Sequence, residues 1–173
     1  MLGVQDLEVI PAGGEERIPD NAGPGEIVEK LSAAKALEVA KKCSQYDVII
    51  AADTIVWLKD RLIGKPSDEK GAAEMLRSLS GNCHEVYTGV TVIKGDVIIS
   101  EHEVSTVCFR HLTDEEIAGY IATGEPMDKA GAYGAQGIGA LFIERIEGDF
   151  FNVMGLPVCR LGEMLKKQGV MLL

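Results

Sequence analysis

Residues 47–66 read DVIIAADTIVWLKDRLIGKP, and the reading of this stretch decides the fold. Val48 to Leu58 is rich in β-branched and apolar residues, the composition of a buried strand. Lys59-Asp60 makes a two-residue connection, and Arg61 to Gly64 forms a second short strand, so the stretch predicts a β-hairpin. One residue breaks the pattern. Asp53 sits inside the apolar run, and a buried carboxylate without a partner is costly, so it must reach solvent or a cation. If Leu58 faces Arg61 across the turn, Thr54 faces Lys65 and Asp53 faces Pro66. The open end of the hairpin then gathers Asp53, Thr54 and Lys65. Two readings follow. Asp53 and Lys65 form an ion pair that closes a strand end, or they hold a metal–phosphate group, the carboxylate on a hard cation and the lysine on phosphate oxygens.

Outward from the hairpin, helices and strands mix without strict alternation. LEVIP (7–11) reads as a short strand and residues 12–25 as an exposed loop. Pro24 to Lys42 reads as a helix, with Ile27, Leu31, Ala34 and Leu37 at helical spacing. After the hairpin, a helix over 68–79 is expected with Ser67 as its cap and Ala72, Met75, Leu76 and Leu79 inward. Glu85 to Phe109 predicts a long hairpin turning at Lys94-Gly95-Asp96. Thr113 and Glu116 form a capping box for the next helix. Residues 127–139 make a glycine-rich loop, ALFIERIEG and FFNV read as short strands, and Pro157 opens a last helix. The expected fold is α/β, a mixed twisted sheet with flanking helices, built as one domain over residues 1–173.

The 173 residues are 46% hydrophobic and 25% charged, an ordinary globular composition. A net charge of −10 excludes a general nucleic-acid or membrane-surface binder, which needs a basic footprint, but leaves room for a small anionic ligand held by a few lysines. No stretch has the length of a membrane span. Cys43, Cys83, Cys108 and Cys159 are scattered without C-x-x-C pairs or nearby histidines at zinc-ligand spacing, and reduced thiols in a cytoplasmic protein are expected.

Other candidates carry two readings each. In EPMDKAGAYGAQG (125–137), the glycines permit positive φ or a close approach to a ligand, and Gln136 has the donors and acceptor to read a base edge. The same loop also reads as a plain turn with an Asp128–Lys129 salt bridge. Lys35 borders the apolar stripe of its helix, either snorkelling to water or aimed at a site. Glu15 and Glu16 are a solvated acidic turn or part of that site.

Taken together, AADTIVWLKDRLIGKP, LSAAKALEVA, AAEMLRSLSGNCHEVYTGV and TGEPMDKAGAYGAQGIGALFIERIEGDFFNVMGLP resemble the Maf family, the septum formation proteins, from about Leu2 to Leu165. The resemblance implies a nucleotide pyrophosphatase that splits a nucleoside triphosphate between its α- and β-phosphates with a divalent cation, magnesium or manganese. It implies an inosine triphosphatase-like fold with a central cleft, and a cytoplasmic, often dimeric protein. Carried over by motif, the aspartate of ADT falls on Asp53, as general base or metal ligand. The acidic residue before the first long helix falls on Glu16, a second metal ligand, with Glu15 one residue away. The phosphate-binding lysines fall on Lys35 and Lys65. Thr54 and Gln136 match the dTTP- and UTP-preferring subfamily and would help choose the base.

One element of the family pattern is missing. The family's first strand is followed by S-x-S-P-R-R, whose arginines contact the phosphates. This chain begins MLGVQDLEVIP and contains no such motif. Charge-assisted phosphate contacts are worth about 1.5–3 kcal/mol each. Weak or no turnover is therefore expected of the chain as written, with pyrophosphate release compared against a form extended by the motif as its measure. The runner-up function is a nucleotide-binding or division-regulating protein with little turnover.

Overall fold

The structure is a computed structural model, and it describes residues 7–14, 17–18, 22–45 and 47–172. Five strands form one sheet in the order β2-β1-β3-β4-β5, with β1 spanning Val48–Leu58, β2 Arg61–Ile63, β3 Cys83–Lys94, β4 Val97–Phe109 and β5 Ile143–Glu147. The α/β layering with flanking helices matches the expectation from sequence. The sheet is not mixed, however: all four of these pairings are antiparallel.

The opening hairpin forms as counted. Leu58 pairs with Arg61, and Lys59 and Asp60 both take positive φ (47° and 62°), the backbone sense of a tight two-residue turn. The paired register ends at Val56 and Ile63. The second strand is thus three residues long, and Thr54 and Lys65 do not continue the ladder. Asp53 lies in the middle of an eleven-residue strand and pairs with Gly89 of β3 on its inner side, rather than sitting at a strand end.

The period of two along β1 and β3 divides the molecule into two layers. On one face α1 (Pro24–Ala40) covers the sheet, packing Ile27, Val28 and Leu31 against Ile55 and, further along, Ala36 against Ile49 and Ile93. On the other face lies the larger core. There α2 (Glu69–Leu79) and α3 (Asp114–Ile121) bury Ala72, Leu76, Leu79 and Ile117 against Val56, Val86 and Val107. A third helix on this side, α5 (Val158–Lys167), sets Leu161, Met164 and Leu165 on Val90 and Val92. Complete burial of such side chains stabilises the fold by about 1.5–3 kcal/mol each.

Several local expectations change. LEVIP is not a strand: Leu7 and Val9 are exposed and the segment has no ladder partner among the described residues. The cap of α2 is Asp68, whose carboxylate accepts from the Gly71 N–H at 2.7 Å, rather than Ser67. FFNV is a helical turn, α4 (Phe150–Val153), because the Asp149 side chain caps it through the Phe151 N–H. The capping box of Thr113 and Glu116 is present. Cys83 and Cys108 are joined in a disulfide, correcting the expectation of four reduced thiols. They stand directly opposite each other in the β3–β4 register, a proximity that sequence spacing does not reveal. Cys43 and Cys159 are free.

The α1 layer sits close because of one residue. A Cβ added at Gly89 would lie 2.2 Å from the Val28 carbonyl oxygen, so only glycine lets helix and strand backbones meet there. Leu31 and Lys35 follow Val28 at three and seven residues, on the same helix face. The close approach therefore sets how far Lys35 reaches over β1. Gly89→Ala is expected to lower the unfolding free energy by about 3 kcal/mol or more and to pull Lys35 away from Asp53. Denaturant titration reads the first effect, and loss of the ligand-induced thermal shift reads the second.

Candidate active site

Because β2 covers only the far end of β1, the stretch of β1 around Asp53 and Thr54 borders a cleft of about 640 Å³. The cleft wraps around this sheet edge. Asp53 reaches it from the α1 face, and Thr54, the next residue, reaches it from the opposite face. A strand ordinarily sends adjacent side chains to different environments. Here one cavity receives both.

On the α1 side, Lys35 donates from Nζ to Asp53 Oδ1. The Asp53 side chain is 9% exposed and that of Lys35 29%, so the pair is partly desolvated. The carboxylate inside the apolar strand thus finds its cation on the helix across the sheet face. Lys65 follows β2, exposed, on the cleft wall.

The glycine-rich segment closes the other side. It folds as three short 3₁₀ turns, Glu125–Asp128, Ala130–Ala132 and Ile138–Phe142. Gly131 has φ 71°, and its N–H donates to the Gly64 carbonyl at 3.0 Å, tying the loop to the GKP segment. Glu125 organises the rest. Its Oε1 accepts from the Tyr120 hydroxyl (2.9 Å) and the Gly139 N–H (3.1 Å), and its Oε2 from the Ile138 N–H (3.1 Å). Tyr120 in turn accepts from the Gly134 N–H at 3.2 Å. Gln136, exposed, lines the cleft. So do Asp128 and Lys129, which pair at 2.6 Å; the Lys129 ammonium holds the Asp128 carboxyl below its ordinary value.

Behind the loop, Tyr133 also faces the cleft. Its hydroxyl contacts His84 Nε2 at 2.8 Å, and the two rings stack edge-on with Phe109. Burial pushes the Tyr133 phenol above its usual value and His84 down to about 4, so both are neutral at physiological pH.

Of the residues expected from sequence, Asp53, Thr54, Lys35, Lys65 and Gln136 all border this one cleft. Glu16 lies outside the described residues. Lys129, Glu125 and Tyr133 were missed as parts of the site, although all three lie inside the quoted EPMDKAGAYG motif. Among the described residues, three lysines and two aspartates line its wall, in a chain of net charge −10. That balance fits an anionic ligand with several charges.

A cleft of this form in an α/β fold, with lysines and carboxylates on its wall and a glycine loop with an amide on one side, suits an anionic ligand that also offers hydrogen-bonding groups. Comparison with known proteins places the chain more narrowly. The family model described as "Maf-like protein" matches residues 1–168, and the chain belongs to the Maf family. It is 48% identical over 163 residues to a dTTP/UTP pyrophosphatase of Alkaliphilus metalliredigens (strain QYMF), covering 93% of this chain and 84% of that protein. Proteins of the same name from Bacillus thuringiensis subsp. konkukian (strain 97-27) and Caldicellulosiruptor bescii are each 47% identical, covering 93% and 95% of this chain and 84% and 85% of theirs.

Burial acts to raise the Glu125 carboxyl, but the N–H groups of Ile138 and Gly139 and the Tyr120 hydroxyl outweigh it and hold the value below the ordinary one. A depressed carboxyl contributes stability that is complete above its unfolded value and is lost as pH falls through its folded value. Glu125→Gln is therefore expected to destabilise the protein at neutral pH and to make the acid-side loss of stability shallower. Urea titrations from about pH 7 down to about pH 3 give both readouts.

Proposed function

We propose that this protein is a nucleoside triphosphate pyrophosphatase acting on dTTP and UTP, releasing the nucleoside monophosphate and pyrophosphate. The observation that carries the reading is the Lys35–Asp53 pair in a lysine-lined cleft whose opposite side presents Thr54 and Gln136. The shared name of the relatives supports the substrate class. A cytoplasmic setting fits this substrate, and no helix among the described residues is long and apolar enough to cross a membrane.

In this reaction water attacks the α-phosphorus in line, the bond to the α–β bridging oxygen breaks, and pyrophosphate leaves. Asp53 faces the cleft with a carboxylate able to orient that water and accept its proton. Lys35 fixes the carboxylate's direction and, with Lys65 and Lys129, offsets charge that grows on the phosphate oxygens. The loop tied down by Glu125 and Gly131 presents Gln136 to the base.

A divalent cation fits this arrangement. No cluster of three or more His, Cys, Asp or Glu able to enclose an ion is present among the described residues. Magnesium does not need one: it is commonly held by one or two carboxylates together with substrate phosphates, and keeps several waters. Asp53 would be one such ligand and Glu16 the second. When bound, the ion supplies charge neutralisation across the phosphates.

Asp53→Asn is expected to cut kcat for pyrophosphate release by about 10²–10⁴-fold with dTTP binding retained. Lys65→Ala is expected to raise KM about tenfold or more, the cost of one charge-assisted phosphate contact. Pyrophosphate assays across a nucleotide panel with magnesium or manganese measure both. No turnover of any nucleoside triphosphate, together with no dTTP-dependent thermal shift, would overturn the reading.

A further inference from the structure

The hydroxyl of Thr54 is part of a directed chain of hydrogen bonds. Thr54 Oγ1 and Thr88 Oγ1, on paired residues of β1 and β3, lie 2.9 Å apart. Thr88 is fully buried, and its Oγ1 also lies 2.9 Å from the backbone carbonyl oxygen of Asn152. A carbonyl oxygen only accepts, so the single hydroxyl proton of Thr88 goes to Asn152. Thr54 must then be the donor to Thr88. Its own proton is turned inward, and what Thr54 Oγ1 has left to offer the cleft is lone pairs.

The carbonyl that imposes this direction is itself held. Asn152 is fully buried, and its Nδ2 donates to the Val86 carbonyl and to Ser105 Oγ, both at 3.0 Å. Ser105 Oγ donates to the Asp149 carbonyl at 2.9 Å and accepts from the Asp149 N–H at 3.0 Å, pinning the start of the α4 turn. Beside Thr54 the cleft is kept open by Gly155, which also lines it. A Cβ there would stand 3.3 Å from Thr54 Oγ1, and the backbone has φ 100°. The space a side chain would fill is within hydrogen-bonding range of the Thr54 lone pairs.

We propose that Thr88 and Asn152 are positioning residues that fix Thr54 as an acceptor-only hydroxyl, and that this selects bases carrying a ring imide N–H, thymine and uracil, against cytosine. The inference rests on the pyrimidine triphosphatase reading above and adds the device that sets its specificity. Thymine and uracil donate from the ring nitrogen between their two carbonyls, whereas cytosine has a bare lone pair there. Two acceptors facing each other leave both unpaired, and a site built to bond a donor rejects an analogue that lacks it. Gln136 does not suffice for this choice, because its amide offers both a donor and an acceptor and turns to suit either base.

The test compares kcat/KM for dTTP, dCTP and dTTP methylated at the imide nitrogen, with wild type, Thr88→Val and Thr88→Ser. Wild type is expected to prefer dTTP over both others by on the order of tenfold or more. In Thr88→Val the Thr54 hydroxyl is free to rotate and donate, so the dTTP-to-dCTP ratio should fall severalfold, mainly through KM, while Thr88→Ser restores it. A general loss of packing would lower both substrates together and leave the ratio unchanged. Equal use of dTTP and dCTP by wild type, or a ratio unmoved in a folded Thr88→Val, overturns the proposal while leaving the pyrophosphatase reading intact. If Thr88→Val does not fold, the wild-type comparison and Thr88→Ser decide. Failure of wild type to hydrolyse any nucleoside triphosphate, together with no dTTP-dependent thermal shift, removes the functional reading and this inference with it.

Discussion

The structure depends on how a carboxylate is accommodated in the middle of a buried strand. Asp53 cannot remain there uncompensated, because an isolated charge away from water is disfavoured by several kcal/mol. Lys35 meets it from α1, and the pair requires the helix to lie unusually close to the sheet. Gly89 provides that closeness by letting the Val28 carbonyl pack where a side chain would otherwise stand. Helix position, strand pairing and the charged centre are one constraint satisfied together. The apolar contacts of Ile27, Val28 and Leu31 with Ile55 supply the burial that keeps the charged pair in place.

The second organising feature is the short second strand. With β2 paired only over Arg61–Ile63, the edge of β1 beside Asp53 and Thr54 opens, among the described residues, onto a cavity instead of another strand. The two faces of the sheet then serve two tasks. The α1 face gives charge, through Lys35 and Asp53. The opposite face gives hydrogen-bond direction, through Thr54, Thr88 and Asn152. The glycine loop completes the enclosure, and its shape is dictated by one carboxylate, Glu125, which gathers N–H groups that a sharply turning backbone would leave unpaired.

Much of this was legible in the sequence. The hairpin register was fixed by a two-residue connection, and the strand and helix periods of β1, β3, β4 and α2 were clear. In α1, Ile27 and Leu31 are buried as expected, but Ala34 and Leu37 are exposed and Val28, Ser32 and Ala36 turn inward instead. The cap of α2 and the FFNV turn were misread for a common reason. An aspartate next to the correct boundary captured a backbone N–H, and a short apolar run carries no period long enough to separate strand from helix. The Cys83–Cys108 bond was invisible because it depends on register across a long hairpin. The roles of Glu125 and Asn152 were hidden similarly, since each sits in a short helical turn whose path follows from packing rather than from local pattern.

By itself the sequence determined that a carboxylate must sit in an apolar strand, and that it needs a partner. It also brought Thr54 and Lys65 near it through the geometry of a tight turn. Which cation answers Asp53 was a matter for the tertiary structure, because Lys35 arrives from a helix whose distance is set by contact with Gly89. The direction of the Thr54 hydroxyl was decided there too, since a hydroxyl points where its neighbours' protons allow. Those neighbours, Thr88 and Asn152, come from distant parts of the chain.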